Sequence, residues 1–483
     1  MPHILAYDLG GSSLRLAIVD QDGTFIDQVR RPLGFAVQGD RQEADPDAKW
    51  WESFVAASAE LAARGNDFGA ITAVAGCGFT RTQVLLDADG QSIRPAIGFP
   101  DARAAALLDR LRHDAPTPLQ ALAQALSPFD PLARLLWLKE HELENWQRLS
   151  QVIEPKDYLN FRLTGRAVSD RISQLPMTRP LRAAGLSGLD QIDLDPALLP
   201  EELSPFEPVA QVRPGLPAPL DRIAGAVVHC GSLDTWTCVL GSGALVPGAG
   251  YSISGTSDVF GVIADCPAEA PGLLSVEWGP SLWQLGGPSQ GAASRLIWAA
   301  ERFHPGLTPQ DALDKALANA GPAPLFLPFL DGERTPWWDP DLRGAFLGLG
   351  MTDDNDAMLR AVAEGMTYLS RDILARAEGA TGRQVDHVSF SGGLSQHAGL
   401  CQLKADILDR PVMVPQNAET GLLGASRLPL GSAAAHQPLP PEACTIYHPA
   451  PETRAHHADR FEIFRDATEA IRPLSHRLAR QNG

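Results

Sequence analysis

Two carboxylates set among glycines and hydroxyls are the residues of this chain best placed to do chemistry. Asp8 closes the apolar run Ile4-Leu5-Ala6-Tyr7, and Leu9-Gly10-Gly11-Ser12-Ser13 leads from it into a second, largely apolar run, Leu14 to Val19. This reads as a hairpin whose tip can hold phosphate. Gly10 and Gly11 let backbone N–H groups approach an anion, Ser12 and Ser13 can donate to phosphate oxygens, and a carboxylate at the strand end can hold a hydrated divalent cation. The same four residues would also make an ordinary hairpin turn. Asp234 is the one carboxylate in the small-residue segment Gly231 to Gly243. It can act as a general base, and after Gly-Ser it is also a natural helix N-cap.

The hairpin device recurs in the second half of the chain. Tyr251-Ser252-Ile253-Ser254 runs into Gly255-Thr256-Ser257-Asp258 and then Val259-Phe260-Gly261, again strand, glycine, hydroxyl, strand. Two such hairpins at matching points of two halves suit a nucleotide held by two similar domains. A third glycine segment, Phe390-Ser391-Gly392-Gly393-Leu394-Ser395-Gln396, ends another apolar strand, where paired glycines let a flat base or a ribose lie against the backbone. Gly424 follows in Glu419-Thr420-Gly421-Leu422-Leu423-Gly424-Ala425.

Taken with Pro155-Lys156-Asp157-Tyr158-Leu159, Asp331-Gly332-Glu333-Arg334-Thr335-Pro336 and Leu135-Leu136-Trp137-Leu138-Lys139-Glu140, these segments resemble the FGGY family of carbohydrate kinases, xylulokinase-like members of the actin and hexokinase-like superfamily. The resemblance runs through most of the chain. It implies an α/β fold of two actin-like (ribonuclease H-like) domains, each a mixed five-stranded sheet flanked by helices, with an interdomain cleft. It also implies ATP and Mg²⁺ as cofactors and a small sugar or polyol as acceptor, a ketopentose such as xylulose by default. Gluconate, a deoxyhexose ketose such as fuculose, and a tetritol such as erythritol remain open.

The resemblance carries roles onto individual positions. Asp234 matches the catalytic base and also touches substrate, and Asp8 matches the carboxylate that positions the metal. Gly10, Gly11, Ser12, Ser13, Gly255, Thr256, Gly392, Gly393 and Gln396 fall on the phosphate and nucleotide side. Phe79, Thr80, Arg81 and Asp101 fall on the acceptor side. Three departures from the family pattern stand out: Gly11 replaces the usual threonine, Arg134 a usual lysine, and Phe79-Thr80-Arg81 a Gln-Met-His stretch.

The elements that must position these residues read as two halves. At 483 residues the chain exceeds one core, and the expected division is an N-terminal sugar-binding domain, residues 1–243, and a C-terminal nucleotide-binding domain, residues 244–483. Helices are expected over Pro46 to Arg64, Gly399 to Leu408, Asn355 to Gly379 and Arg460 to Leu478, and an irregular insertion over Leu181 to Pro219.

Composition narrows the partners. A net charge of −18 argues against nucleic acid and anionic membranes, though a glycine-rich nest can still hold ATP in an acidic protein. The six cysteines form no C-x-x-C pair, which fits a reducing, cytoplasmic setting. The oligomeric state stays open, a homodimer included. Two other classes compete. Gly287-Pro288-Ser289-Gln290-Gly291 satisfies the G-x-S-x-G hydrolase pattern, and an inactive sugar-binding regulator could use the same fold.

Overall fold

A computed structural model describes residues 2–255, 258–318 and 321–482. The chain forms two compact units, Met1–Gly241 with Gly421–Ala435, and Ser242–Thr420 with His436–Gly483. Thr256 lies outside the described residues.

The first unit is built on strands β1 (His3–Leu9), β2 (Ser13–Val19), β3 (Phe25–Pro32) and β4 (Ile71–Gly78). Helix α1 (Glu52–Ala63) precedes β4, and α2 (Pro131–His141) and α3 (Pro155–Thr164) follow it. Then come β5 (Pro208–Gln211), β6 (Val227–His229), β7 (Ser232–Leu233) and helix α4 (Asp234–Gly241). The sheet order is β5-β6-β4-β1-β2-β3, with β7 also on β4. β1 runs antiparallel to β2 and parallel to β4, while β6 and β7 are parallel to β4.

Alternation along β1 and β2 decides what covers each face. Leu5, Tyr7, Leu9, Leu14, Leu16 and Ile18 point into a core with Trp50, Trp51, Phe54 and Leu61. Ala6, Ala17 and Val19 form the opposite face, where small side chains meet Leu422 and Ala425.

The second unit repeats the plan. Its strands are β8 (Ala249–Ser254), β9 (Asp258–Ala264), β10 (Leu274–Gly279) and β11 (Leu282–Pro288). After helix α5 (Asn355–Thr381) come β12 (His387–Gly392), helix α6 (Ala398–Leu408) and β13 (Val412–Pro415). Helix α7 (Thr420–Arg427), which carries Leu422 and Ala425, belongs from Gly421 onward to the first unit, and β14 (Cys444–Tyr447) and helix α8 (Arg454–Asn482) complete the second. The order is β10-β11-β9-β8-β12-β13-β14. β8 is antiparallel to β9 and parallel to β12.

Each sheet therefore joins a run of antiparallel strands to parallel ones, the actin-like frame, and each is seven-stranded rather than five-stranded. Two strands correct the reading of 181–219 as irregular: Glu201–Leu203 pairs parallel with Val168–Asp170, and β5 pairs antiparallel with β6. Pro and Gly neighbours hide β5 because an edge strand tolerates them. The return of residues 421–435 to the first unit was equally invisible, since sequence distance says nothing about it.

Gly424 shows how tightly α7 is seated: a Cβ there would lie 1.9 Å from the Thr237 carbonyl oxygen of α4. Gly424→Ala must push the helix away from backbone that cannot yield. The expected loss is about 1–3 kcal/mol of unfolding free energy, read by urea denaturation. An unchanged midpoint would show that α7 is not held there.

Candidate active site

Strands β1, β4 and β7 are parallel neighbours, so residues at their C-terminal ends converge, the usual place for ligands in open α/β sheets. In register, Asp8 stands opposite Cys77 of β4, and Ser232 stands opposite the same cysteine from the other side. Missing side chains allow the approach. Gly231 has φ +70°, and a Cβ on it would sit 1.9 Å from the Gly76 carbonyl oxygen, while a Cβ on Gly76 would strike the Tyr7 ring at 2.2 Å. Polar anchors hold the strand ends from beneath. The Tyr7 hydroxyl donates to Asn160 Oδ1 (2.8 Å), Ser232 donates to Asp170 Oδ1 (2.8 Å), and Lys156 lies 3.0 Å from Asp170.

Asp234 opens α4 and is half-buried, its Oδ1 accepting from the Thr235 N–H (2.6 Å) and hydroxyl (3.2 Å). Desolvation, with the negative charge of Asp8 as second cause, raises its carboxyl from 3.8 to about 6. Asp8 itself is 6% exposed; Arg15, its cross-strand neighbour, donates to Oδ2 (2.8 Å) and the Cys77 thiol to Oδ1 (3.5 Å). A Cβ on Gly421 would come within 3.0 Å of Asp8 Oδ2, so that glycine keeps the carboxylate clear. The pair thus combines a carboxylate already matched to a cation with one poised to exchange a proton near neutral pH.

The hairpin tip is closed by the Gly10 N–H donating to the Ser13 carbonyl (2.9 Å). Ser12 is exposed and Ser13 is buried. Gly11, where a hydroxyl was expected to be lost, borders an aromatic ring: a Cβ there would be 3.3 Å from Phe99 Cε1. Phe99 is 42% exposed and packs edge-on against Phe35 and Phe79.

The four acceptor candidates take different places. Arg81 is exposed and holds φ +62°, and Thr80 is half-buried with its hydroxyl on Glu154 Oε1 (3.3 Å). Phe79 is 6% exposed, its ring set against Phe35, Trp50 and Phe99. Asp101 requires a correction, because it is 0% exposed. Its carboxylate accepts from Arg103 Nε (2.8 Å), Arg103 Nη2 (2.7 Å), the Arg103 N–H (3.1 Å) and the Gln42 N–H (2.8 Å). Burial alone would raise its pKa, but those hydrogen bonds outweigh it and hold the carboxyl below the ordinary value. No lone pair is left to face a hydroxyl, so Asp101 shapes the loop from behind.

In the second unit Ser254 pairs with Gly392 across β8 and β12, bringing two glycine turns to one sheet end. Gly392 has φ +93°, and a Cβ there would lie 2.2 Å from the Ser254 carbonyl oxygen. Gly255, Gly393 and Gln396 are exposed beside it. Asp258 accepts from the hydroxyls of Ser252 (3.0 Å) and Ser254 (3.1 Å). Buried Lys404 lies 3.8 Å from it, its ammonium pKa lowered by desolvation. The hydrolase alternative finds no support at Ser289, whose hydroxyl is engaged with the Asp258 and Gly291 backbone at 3.3 Å, while His304 faces Asp356 (3.1 Å).

Sequence reasoning missed Arg15, Phe99, Glu154 and Lys404, and marked Arg134 only as a departure from the family pattern. Arg15 could have been found, since a hairpin turned at Gly10–Ser13 puts it opposite Asp8. The others act across long sequence separations that no local pattern marks.

Comparison with known proteins agrees with this geometry. Residues 3–177 match the N-terminal domain model, and residues 250–430 the C-terminal domain model, of the FGGY family of carbohydrate kinases. A xylulose kinase of Lactococcus lactis subsp. lactis is 25% identical over 100% of this chain and 99% of its own. A gluconokinase of Bacillus subtilis is 26% identical, covering 72% of this chain and 71% of its own. The crystal structure of a xylulose kinase from Brucella ovis superposes with a TM-score of 0.84 at 26% identity, over 98% of this chain and 100% of that one. With both domain models matched and both carboxylates in place, the chain belongs to the FGGY family of carbohydrate kinases and is a sugar kinase that takes its phosphoryl group from ATP.

Proposed function

We propose that this kinase transfers the γ-phosphate of ATP to a hydroxyl of a ketopentose, xylulose being the default acceptor. The observation that carries the reading is the full-length similarity to xylulose kinases together with an intact Asp8 and Asp234. Asp234 accepts the acceptor's hydroxyl proton as the oxygen attacks phosphorus and the bond to the ADP oxygen breaks. Gly11, Ser12 and the hairpin backbone supply donors to the phosphates, and Gly255, Thr256, Gly392, Gly393 and Gln396 carry the nucleotide. Arg81, Thr80 and the exposed ring of Phe99 face the acceptor.

Mg²⁺ fits the donor set. Among the described residues no group of three or more His, Cys, Asp or Glu is arranged to hold a metal. Mg²⁺ needs no such cage, because it keeps several waters and leans on substrate phosphates plus one or two carboxylates. Asp8, with Asp234 beside it, would supply those, and the ion would neutralise phosphate charge. The cysteines are all free, four of them buried, and no helix among the described residues is long and apolar enough to cross a membrane. Both features support a cytoplasmic setting.

A second acceptor class has its own support. The exposed Arg81 guanidinium could pair with a carboxylate, and a gluconokinase is among the relatives. An acceptor panel of xylulose, gluconate, fuculose and erythritol separates the two. Arg81→Ala should lower kcat/KM for gluconate at least about tenfold more than for xylulose if the aldonate is the true acceptor. Equal losses across the panel would remove Arg81 from the acceptor site.

Asp234 gives a paired prediction. Only its ionised form accepts a proton, so kcat/KM should fall as pH drops below about 6. Its folded pKa lies above 3.8, so the native state keeps a proton that the unfolded chain has lost, and stability declines as pH rises from 3.8 to about 6. Asp234→Asn should therefore cut turnover about 10²–10⁴-fold while the melting temperature at pH 7 stays at or above the parent's. Near-parental turnover would rule out the base.

Asp8→Ala should reduce turnover by about 10²-fold or more and displace the Mg²⁺ saturation curve to higher concentration. Acceptor affinity, measured calorimetrically without ATP, should hold. A superimposable Mg²⁺ titration would refute the role.

A further inference from the structure

The loop carrying Arg81 is gripped from both sides by buried polar side chains, a guanidinium and a carboxyl group. From α2, Arg134, 0% exposed, donates to the Gly98 carbonyl (2.7 Å), to the Phe99 and Asp101 carbonyls (both 3.4 Å) and, in a shorter contact, to the Arg81 carbonyl. Glu154, the buried N-cap of α3, accepts the N–H of Arg81 (3.1 Å), the N–H of Thr82 (3.2 Å) and the Thr80 hydroxyl (3.3 Å). Both backbone polar groups of Arg81 are thus fixed, its carbonyl by Arg134 and its N–H by Glu154.

That grip matters because Arg81 sits at φ +62°, a conformation costly for a residue with a side chain unless its surroundings impose it. Releasing either partner would let the residue relax to negative φ and turn its side chain elsewhere. The same guanidinium ties the Arg81 carbonyl to those of residues 98 to 101, and so binds the Arg81 loop to the segment presenting Phe99. The planar fork reaches one segment through Nη1 and the other through Nη2, whereas a lysine offers its three donors from a single point.

We infer that Arg134 and Glu154 are positioning residues that set acceptor choice, by locking the Arg81 peptide in its left-handed conformation and coupling it to the Phe99 segment. The inference rests on the proposed acceptor role of Arg81 and deepens it. Neither residue touches substrate, and both act through the loop.

The test uses Arg134→Lys and Glu154→Gln in the full-length enzyme, assayed with xylulose and with gluconate as probes. Each variant should lower kcat/KM for the parent's better acceptor by up to about 10²-fold, the scale expected of a misplaced contact, and should narrow the ratio between the two acceptors. KM for ATP and the slow ATP hydrolysis without acceptor should stay within twofold. Adding Arg81→Ala to Arg134→Lys should do no further harm beyond Arg81→Ala alone, the non-additivity of a residue that works through another. Glu154→Gln retains an oxygen for the helix cap, so it answers the question if Arg134→Lys folds poorly. A uniform loss on both acceptors and on ATP, with a lowered melting temperature, would mean a purely structural role and overturn the inference, as would additive effects in the double variant. If Arg81→Ala alone changes acceptor ranking while Arg134→Lys and Glu154→Gln leave it as in the parent, this inference fails and the acceptor role of Arg81 stands. If Arg81→Ala leaves the ranking untouched, that role falls, and the inference with it.

Discussion

Repulsion between two carboxylates delivered by the strands that flank β4, Asp8 at the end of β1 and Asp234 just after β7, is the constraint around which the first unit is organised. Left in low dielectric without partners, Asp8 and Asp234 would each hold a proton or drive the strands apart. The fold divides the problem unequally. Asp8 receives Arg15 across the hairpin and a thiol hydrogen bond from Cys77, whereas Asp234 accepts from the Thr235 N–H and hydroxyl and carries the upward shift. Two like groups are thereby given different surroundings, one paired with a guanidinium and the other able to take up a proton near pH 6.

Keeping the two acids close is a packing problem before it is a chemical one. Tyr7 fills the space over Gly76, Gly76 leaves its carbonyl open to Gly231, and Gly231 turns with positive φ into β7, which delivers Asp234. A side chain at either glycine would separate β4 from its neighbours by more than the strands could absorb. Beneath this line the Lys156, Asp157 and Asp170 cluster is wholly buried. A buried ionic cluster is weak evidence of stability. Here Ser232 hydrogen-bonds to Asp170 two residues before Asp234, so the cluster fixes where the last strand ends.

What could be read from the sequence follows the same division between local and distant causes. The turns of Gly10–Ser13, Gly255 and Gly392–Gly393, and the acids beside them, were legible because a strand running into glycine and hydroxyl residues signals its chemistry within a few positions. The mixed sheets were legible for the same reason, as buried runs separated by turns. Strand β5 was hidden by its proline-rich surroundings, and the packing of residues 421–435 on Ala6 and Ala17 depends on small residues more than 400 positions away. Asp101 was misread through a local ambiguity: a carboxylate two residues before an arginine can serve a ligand or that arginine, and only its complete burial decides between them.

The departures from the family pattern make physical sense once seen together. Gly11 in place of threonine opens room that the Phe99 ring borders, and Phe99 belongs to an aromatic group with Phe35 and Phe79, the last standing where a polar side chain is usual. Arg134 in place of lysine holds the carbonyls on both sides of that group. These changes meet through Phe99: its ring packs on Phe79 and borders the space left by the missing side chain at residue 11, and the Arg134 guanidinium spans its segment and the Arg81 loop. The changed positions therefore run from the tip of the first phosphate hairpin at Gly11 to the loop carrying Phe79 and the helix carrying Arg134, all within the first unit.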